Sequence, residues 1–217
     1  MDADGLLDGL NEAQRRAVES PVVPLCILAG AGSGKTRVLT RRIAYRAATG
    51  QHDPRRVLAL TFTRKAAGEL TSRLRALGLR DSVAAGTFHA IAYAQLRARW
   101  ADKGITPPTL LDRKVGFVAR LMPPPGRSAG SGSRAAREVL PLDIVAEIEW
   151  AKARRVTPER YPKAAAEARR KPPLDVHRVA EIFAAYEAEK KRRRMVDLDD
   201  LLVLCVRDMN RDHDVAE

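Results

Sequence analysis

Between residues 22 and 29 the chain runs Val-Val-Pro-Leu-Cys-Ile-Leu-Ala without a charge, and polar residues then return at helical spacing. A short run of β-branched and aliphatic residues predicts a strand buried on both faces of a parallel sheet. From Lys35 onward, Val38, Leu39, Ile43 and Ala47 fall along one stripe, which predicts a helix that Gly50 stops. The alternation then repeats. Residues 56–62 read as a strand, and a helix carrying Leu70, Leu74 and Leu77 ends near Gly78. Residues 82–88 read as a further strand, followed by a helix to about Trp100. Strand, helix, strand, helix, strand is the rhythm of a parallel α/β sheet.

After residue 105 the rhythm changes. The Pro/Gly/Ser stretch 123–133 cannot bury apolar surface and reads as a loop or linker. Beyond it the pattern is helical: 142–155, a short helix opened at Thr157, and 175–192 with Val179, Ile182, Phe183 and Tyr186 on one face. In the last helix Asp197 serves as N-cap, and Leu198, Leu201, Leu202 and Cys205 form the buried stripe. The basic run 190–194 reads as a solvated helix end whose cations suit the C-terminal dipole, with duplex binding as the alternative. The organisation expected is an α/β core over 1–105, an all-helical subdomain over 106–193, and a helix over 194–217 that returns to the core.

A chain of 217 residues with 45% apolar residues is long enough for one large or two small cores. Its net charge of +12 points to a polyanionic partner, nucleic acid or an anionic membrane surface, although an Ala- and Arg-rich coding bias yields the same charge. Neither Cys26 nor Cys205 has a second Cys or a His at metal-ligand spacing, so both read as small buried hydrophobes. The acidic N-terminus lacks the features of a signal peptide, and no apolar run approaches the ~18 residues of a membrane span. These features place the chain in the cytoplasm.

The turn that follows the first apolar run ends in Gly34-Lys35-Thr36, and Gly30, Gly32 and Gly34 remove Cβ atoms where backbone N–H groups converge on phosphate oxygens. The helix starting there adds its positive dipole end; Lys35 reaches the β- and γ-phosphates, and the Thr36 hydroxyl holds Mg²⁺. A strict phosphate-loop pattern has Gly where this chain has Ala29. The strand before and the helix after supply the confirming context. Upstream, Asn11 and Gln14 allow two readings: a capping box, or an amide that reads the adenine edge while the cap orients it.

The segments LNEAQ (10–14), AGAGSGKT (29–36), LALTFTRKAAGEL (58–70) and AGTFHAIAYAQLR (85–97) resemble, in order and spacing, the N-terminal half of UvrD/Rep/PcrA-like superfamily 1 DNA helicases. The segment DLDDLL (197–202) resembles the one that precedes their Walker B strand. The helical stretch from EIEWAKARR to EAEKKRRR is similar to a second UvrD-like helicase of actinobacteria. The resemblance covers most of the chain and is weakest in the Gly/Ser loop. It implies a P-loop NTPase (RecA-like) parallel-sheet core with an all-helical insertion, ATP with Mg²⁺ as cofactors, and 3′ to 5′ DNA unwinding in repair or replication. The implied partners are single-stranded DNA, a duplex junction and a second RecA-like domain.

By position, the resemblance assigns adenine to Gln14 and the nucleotide cradle to Ala29, Gly30, Ala31, Gly32, Ser33, Gly34, Lys35 and Thr36, with Arg37 beside it. Thr61, Phe62, Thr63 and Arg64 match a first single-strand DNA motif; Gly86, Thr87, Phe88 and His89 match a second. Loops at the carboxyl ends of parallel strands are where open α/β sheets place ligands, and an aromatic there offers a base a stacking surface. Core packing is the alternative for Phe62 and Phe88, and His89, without a companion at metal spacing, reads as a hydrogen-bonding or core residue.

Two positions depart from the family. Arg64 stands where members usually carry Asn, adding a phosphate contact, and Leu198 where they carry Phe, a core exchange. No run of four apolar residues ending in Asp-Glu occurs, so the chain is expected to stop before the Walker B pair and to bind ATP without hydrolysing it. The rival readings are a helicase-nuclease subunit, a non-catalytic nucleic-acid-binding module and a small-molecule kinase; the kinase lacks a visible acceptor site and lid.

Overall fold

The computed structural model describes residues 2–79, 83–122 and 139–211. The linker expected at 123–133 lies outside the described residues. The chain forms two units, Met1–Ala94 and Gln95–Glu217.

In the first unit a 3-10 turn, Gly5–Leu7, leads into α1 (Glu12–Glu19) and then α2 (Lys35–Ala48). Strand β1 (Leu58–Thr61), α3 (Arg64–Ala76), β2 (Ala84–Thr87) and α4 (Phe88–Asp102) follow, the last running past the unit's boundary. Capping defines several helix starts. The Thr63 hydroxyl accepts the Ala66 N–H at 3.1 Å and Thr87 that of Ala90 at 3.2 Å, each satisfying a donor the first turn leaves over. β1 and β2 pair in parallel, Leu58 opposite Ala84 and Thr61 opposite Thr87. Behind them Leu70 and Leu74 of α3 pack with Ala44, Ala59, Leu6 and Leu79, so the leucine period read in α3 is its core face.

The run 22–29 is not a strand. Among the described residues no strand pairs with it, Pro24 has no N–H to donate, and Leu28 is 92% exposed. An apolar run becomes a buried strand only when hydrogen-bonding neighbours flank it, and among the described residues β1 pairs with β2 alone. Cys26 is exposed for the same reason, and Cys205 is half-buried rather than buried. Leu39, placed on the α2 stripe with Val38, is exposed, while Val38 and Ala44 are buried. Among the described residues the parallel sheet predicted from the rhythm is thus present only as the β1–β2 pair, and the structure is mostly helical.

The second unit holds β3 (Thr109–Leu110), α5 (Lys114–Ala119), α6 (Pro141–Ala153), α7 (Tyr161–Glu167), α8 (Val176–Arg192), β4 (Met195–Val196) and α9 (Leu198–Arg211). β3 and β4 pair in parallel. Val179, Ile182, Phe183 and Tyr186 from α8 meet Ile144 and Ile148 from α6 and Phe117 and Val118 from α5 in one core. Asp175 caps α8 through the His177 and Arg178 N–H groups.

A charged network joins α6, α8 and α9. Asp197 is fully buried, and its Oδ2 accepts from Tyr186 Oη at 2.7 Å, Lys190 Nζ at 2.9 Å and Lys152 Nζ at 2.9 Å. Its Oδ1 accepts the Asp200 N–H while Asp200 Oδ2 accepts the Asp197 N–H, each at 3.0 Å, a reciprocal cap at the start of α9. Lys152 and Lys190 also reach Asp200. Burial alone would raise the Asp197 carboxyl, but the two ammonium groups outweigh it and hold it well below the usual carboxylate range. Glu187, Asp197 and Asp200 bring oxygens close enough for a cation, but lysines already supply the positive charge there.

Two expectations change here. Lys190, read as part of a solvated helix end, is buried and ion-paired, whereas Lys191, Arg192, Arg193 and Arg194 are exposed. Of the stripe read for α9 only Leu201 is buried, and Leu198 is exposed. Among the described residues no helix is long and apolar enough to cross a membrane.

Candidate nucleotide and nucleic-acid site

The glycine-rich turn leads directly into α2. Gly32 and Gly34 have φ of 74° and 84°, a region that costs L-residues with a Cβ about 1–2 kcal/mol. Gly34 is the N-cap of α2, and no side chain caps that terminus, in contrast to α1, α3 and α8. A 14-residue helix therefore points uncapped N–H groups and its positive dipole end at the turn, an arrangement that attracts an anion. The Lys35 ammonium lies on the loop itself, donating to Ala29 O at 3.0 Å and Gly30 O at 2.6 Å, and Ser33 Oγ donates to Gly30 O at 2.7 Å. A cavity of about 360 Å³ is lined by Gly32, Gly34, Lys35, Thr36, Arg37 and Arg73.

Arg73 was not among the residues read as functional from sequence. It pairs with Glu69 at 2.6 Å across one turn of α3, which in sequence looks like an ordinary surface ion pair. Only tertiary packing reveals that this flank of α3 faces the turn. Among the described residues no carboxylate lines the cavity, and the Thr36 hydroxyl is the one oxygen-bearing side chain there; a magnesium ion bound there would rest on Thr36, phosphate oxygens and water, as that ion commonly does.

Of the two readings of Gln14, the structure forms the capping box. Its Oε1 accepts the Asn11 N–H at 3.2 Å while Asn11 Oδ1 accepts the Gln14 N–H at 2.9 Å, so the capping box is formed. Its Nε2 donates to Ser33 O at 3.0 Å, which places the amide against the glycine-rich turn. A Cβ on Gly34 would lie 3.1 Å from that same nitrogen. Arg37, beside the turn, donates to Asp8 O at 3.3 Å.

The two motifs matched to single-strand DNA come to one edge. Thr61 ends β1 and Thr87 ends β2, and the two are register partners. Phe62 follows the first and Phe88 the second; their ring centroids are 5.5 Å apart with planes at 33°. Phe62 is 90% exposed and Phe88 41%, so Phe62 is not a core residue. Gly86 lets α4 approach closely, since a Cβ there would stand 3.1 Å from Ile91 Cδ1. Arg64, the first residue of α3, is exposed, and His89 is half-buried at the start of α4.

The family model for the UvrD/REP helicase N-terminal domain matches residues 10–217. The chain belongs to the UvrD/REP helicase family. It is 44% identical to ATP-dependent DNA helicase UvrD2 of Mycobacterium tuberculosis over 99% of its own length and 31% of that protein. With ATP-dependent DNA helicase PcrA of Leuconostoc citreum the identity is 38% over 95% of this chain and 27% of the relative. With DNA helicase II of Escherichia coli it is 45% over 48% of this chain. The chain spans less than a third of the length of these UvrD/REP relatives.

Proposed function

We propose that the chain is the N-terminal part of an ATP-dependent DNA helicase that couples ATP hydrolysis to 3′ to 5′ movement on single-stranded DNA and to duplex unwinding in repair or replication. The observation that carries this reading is the uncapped N-terminus of α2 beneath a glycine turn, with Lys35 on the loop and Gln14 bonded to it. Ala29, Gly30, Ala31, Gly32, Ser33, Gly34, Lys35 and Thr36 cradle the phosphates, Arg37 flanks them, and Gln14 reads adenine. Thr36 holds Mg²⁺. To face the base, Gln14 exchanges its bond to the Ser33 carbonyl for one to adenine.

DNA runs over Thr61–Arg64 and Thr87–His89, where the exposed Phe62 ring stacks on a base and Arg64 meets a phosphate. In this reading residues 1–105 belong to a RecA-like core completed by other strands, 106–193 are an insertion, 194–217 lead back to the core, and a second RecA-like domain closes on the nucleotide in the cytoplasm.

The test is Lys35→Ala in the full-length protein. It removes the cation that faces the transferred phosphoryl group, and turnover should fall by about a hundredfold or more. Wild-type turnover in that variant overturns the nucleotide assignment.

A further inference from the structure

Four arginines of α2, Arg37, Arg41, Arg42 and Arg46, reach backbone carbonyls of the segment that precedes them in the chain, rather than carboxylates. Arg42 makes the densest set. Its Nη1 donates to Ala17 O at 2.8 Å, Val18 O at 3.2 Å and Ser20 O at 2.7 Å, all at the C-terminal end of α1. The last carbonyls of a helix have no intrahelical donors and carry its negative dipole end, so a guanidinium there both satisfies and attracts them. Arg41 Nη1 holds Leu6 O at 2.6 Å and Asp8 O at 2.8 Å, just ahead of α1. Two adjacent residues of α2 thus fix the chain on either side of α1.

The two helices are matched turn by turn. Gln14 lies against Gly34 and Ser33, Val18 shares one buried cluster with Val38, and the end of α1 meets Arg42. Gln14 and Val18 are one turn apart on α1, and Gly34, Val38 and Arg42 are successive turns on α2. Sliding α1 by a single residue, about 1.5 Å, breaks every step of this match at once. Apolar contact between Val18 and Val38 resists separation of the helices but sets their axial position weakly; directed bonds to three carbonyls set it.

We infer that Arg42, supported by Arg41, is a positioning residue that sets the place of Gln14 over the phosphate loop and thereby the protein's preference for adenine. This rests on the nucleotide-binding reading above and adds to it residues that touch neither base nor phosphate. Arg42 acts through its Nη1 on the C-terminal end of α1.

The test is equilibrium binding of ATP, GTP and inorganic tripolyphosphate to the full-length protein and to Arg42→Met, Arg42→Lys, Arg41→Met, Gln14→Ala and the Arg42→Met/Gln14→Ala double variant. Arg42→Met should reduce the ATP-over-GTP preference by about twofold to tenfold, the range of one hydrogen bond, and leave tripolyphosphate affinity unchanged. Gln14→Ala should lose the preference to the same extent, and the double variant should lose no more than either single one. Arg42→Lys, which keeps a cation with several donors, should retain most of it, and Arg41→Met should lose part. A wild-type preference in Arg42→Met, or a parallel loss of tripolyphosphate affinity, overturns the inference. If Arg42→Met does not fold, unchanged preference in Arg41→Met overturns it instead. A wild-type protein that does not distinguish ATP from GTP overturns the adenine role of Gln14 itself, before any variant is compared.

Discussion

Phe62 and Phe88 stand at the ends of two paired parallel strands with ring centroids 5.5 Å apart, and the first of the two rings is almost wholly in solvent. An exposed large aromatic beside a second one on a basic protein offers consecutive bases a stacking surface. Phe62→Ala should therefore weaken single-strand DNA binding by about 1–3 kcal/mol, read by fluorescence anisotropy. The salt dependence should keep its slope, because stacking releases no counterions. The melting temperature should not change, since the ring has no core contacts to lose. A variant that binds normally but melts early would return Phe62 to a packing role.

Arg64 gives the opposite signature. It is exposed at the first turn of α3, beside the same edge. Arg64→Asn should reduce the magnitude of the salt slope of single-strand binding by about one phosphate contact while leaving base stacking intact. An unchanged slope places Arg64 off the DNA path.

Gly34 combines a left-handed backbone with a close approach by Gln14. Its φ of 84° and the 3.1 Å approach of Gln14 Nε2 to a Cβ at that position act together. Gly34→Ala should destabilise the loop by about 1–2 kcal/mol and weaken ATP binding in titration calorimetry. Gly30→Ala, where nothing lies within 4 Å of a Cβ and φ is not positive, should be tolerated far better without ligand.

Residues 1–217 alone should bind an ATP analogue without DNA-stimulated phosphate release. The anion-attracting turn is present, but among the described residues no carboxylate lines its cavity to place an attacking water, and cations contributed by a second domain are worth about 10³–10⁵ in rate in other P-loop enzymes. DNA-dependent release that Lys35→Ala abolishes would mean that a carboxylate within the chain supports the chemistry.

Asp197 makes stability depend on acid. Its carboxyl lies below its ordinary value of about 3.9, so its contribution is fully present above that pH and is lost as the pH falls through the depressed folded value. Urea unfolding followed by circular dichroism should show the loss below about pH 4. Asp197→Asn should cost about 3–5 kcal/mol at neutral pH, because Lys190 and Lys152 remain buried with one carboxylate fewer. A variant that unfolds like wild type at both pH values would mean that Asp200 and Glu187 alone satisfy the lysines.

The local elements were written in the sequence. Leu70 and Leu74, Val179 to Tyr186, the Asn11–Gln14 cap and the turn ending in Gly34-Lys35 are patterns of spacing within one or two turns, and spacing is what a helix or a turn responds to. The family, too, was legible, because its motifs are contiguous strings. What the tertiary structure decided is where each side chain spends its polar groups. Lys190 sits in a run of five cations, yet it alone is drawn inside, because Asp197, seven residues on, is carried back to it by the short strand β4. Gln14 meets Ser33 and Arg42 meets Ser20 only once α1 lies against α2. The run 22–29 reads as a strand by composition and remains unpaired among the described residues, since a strand's hydrogen bonds belong to its neighbours and not to itself.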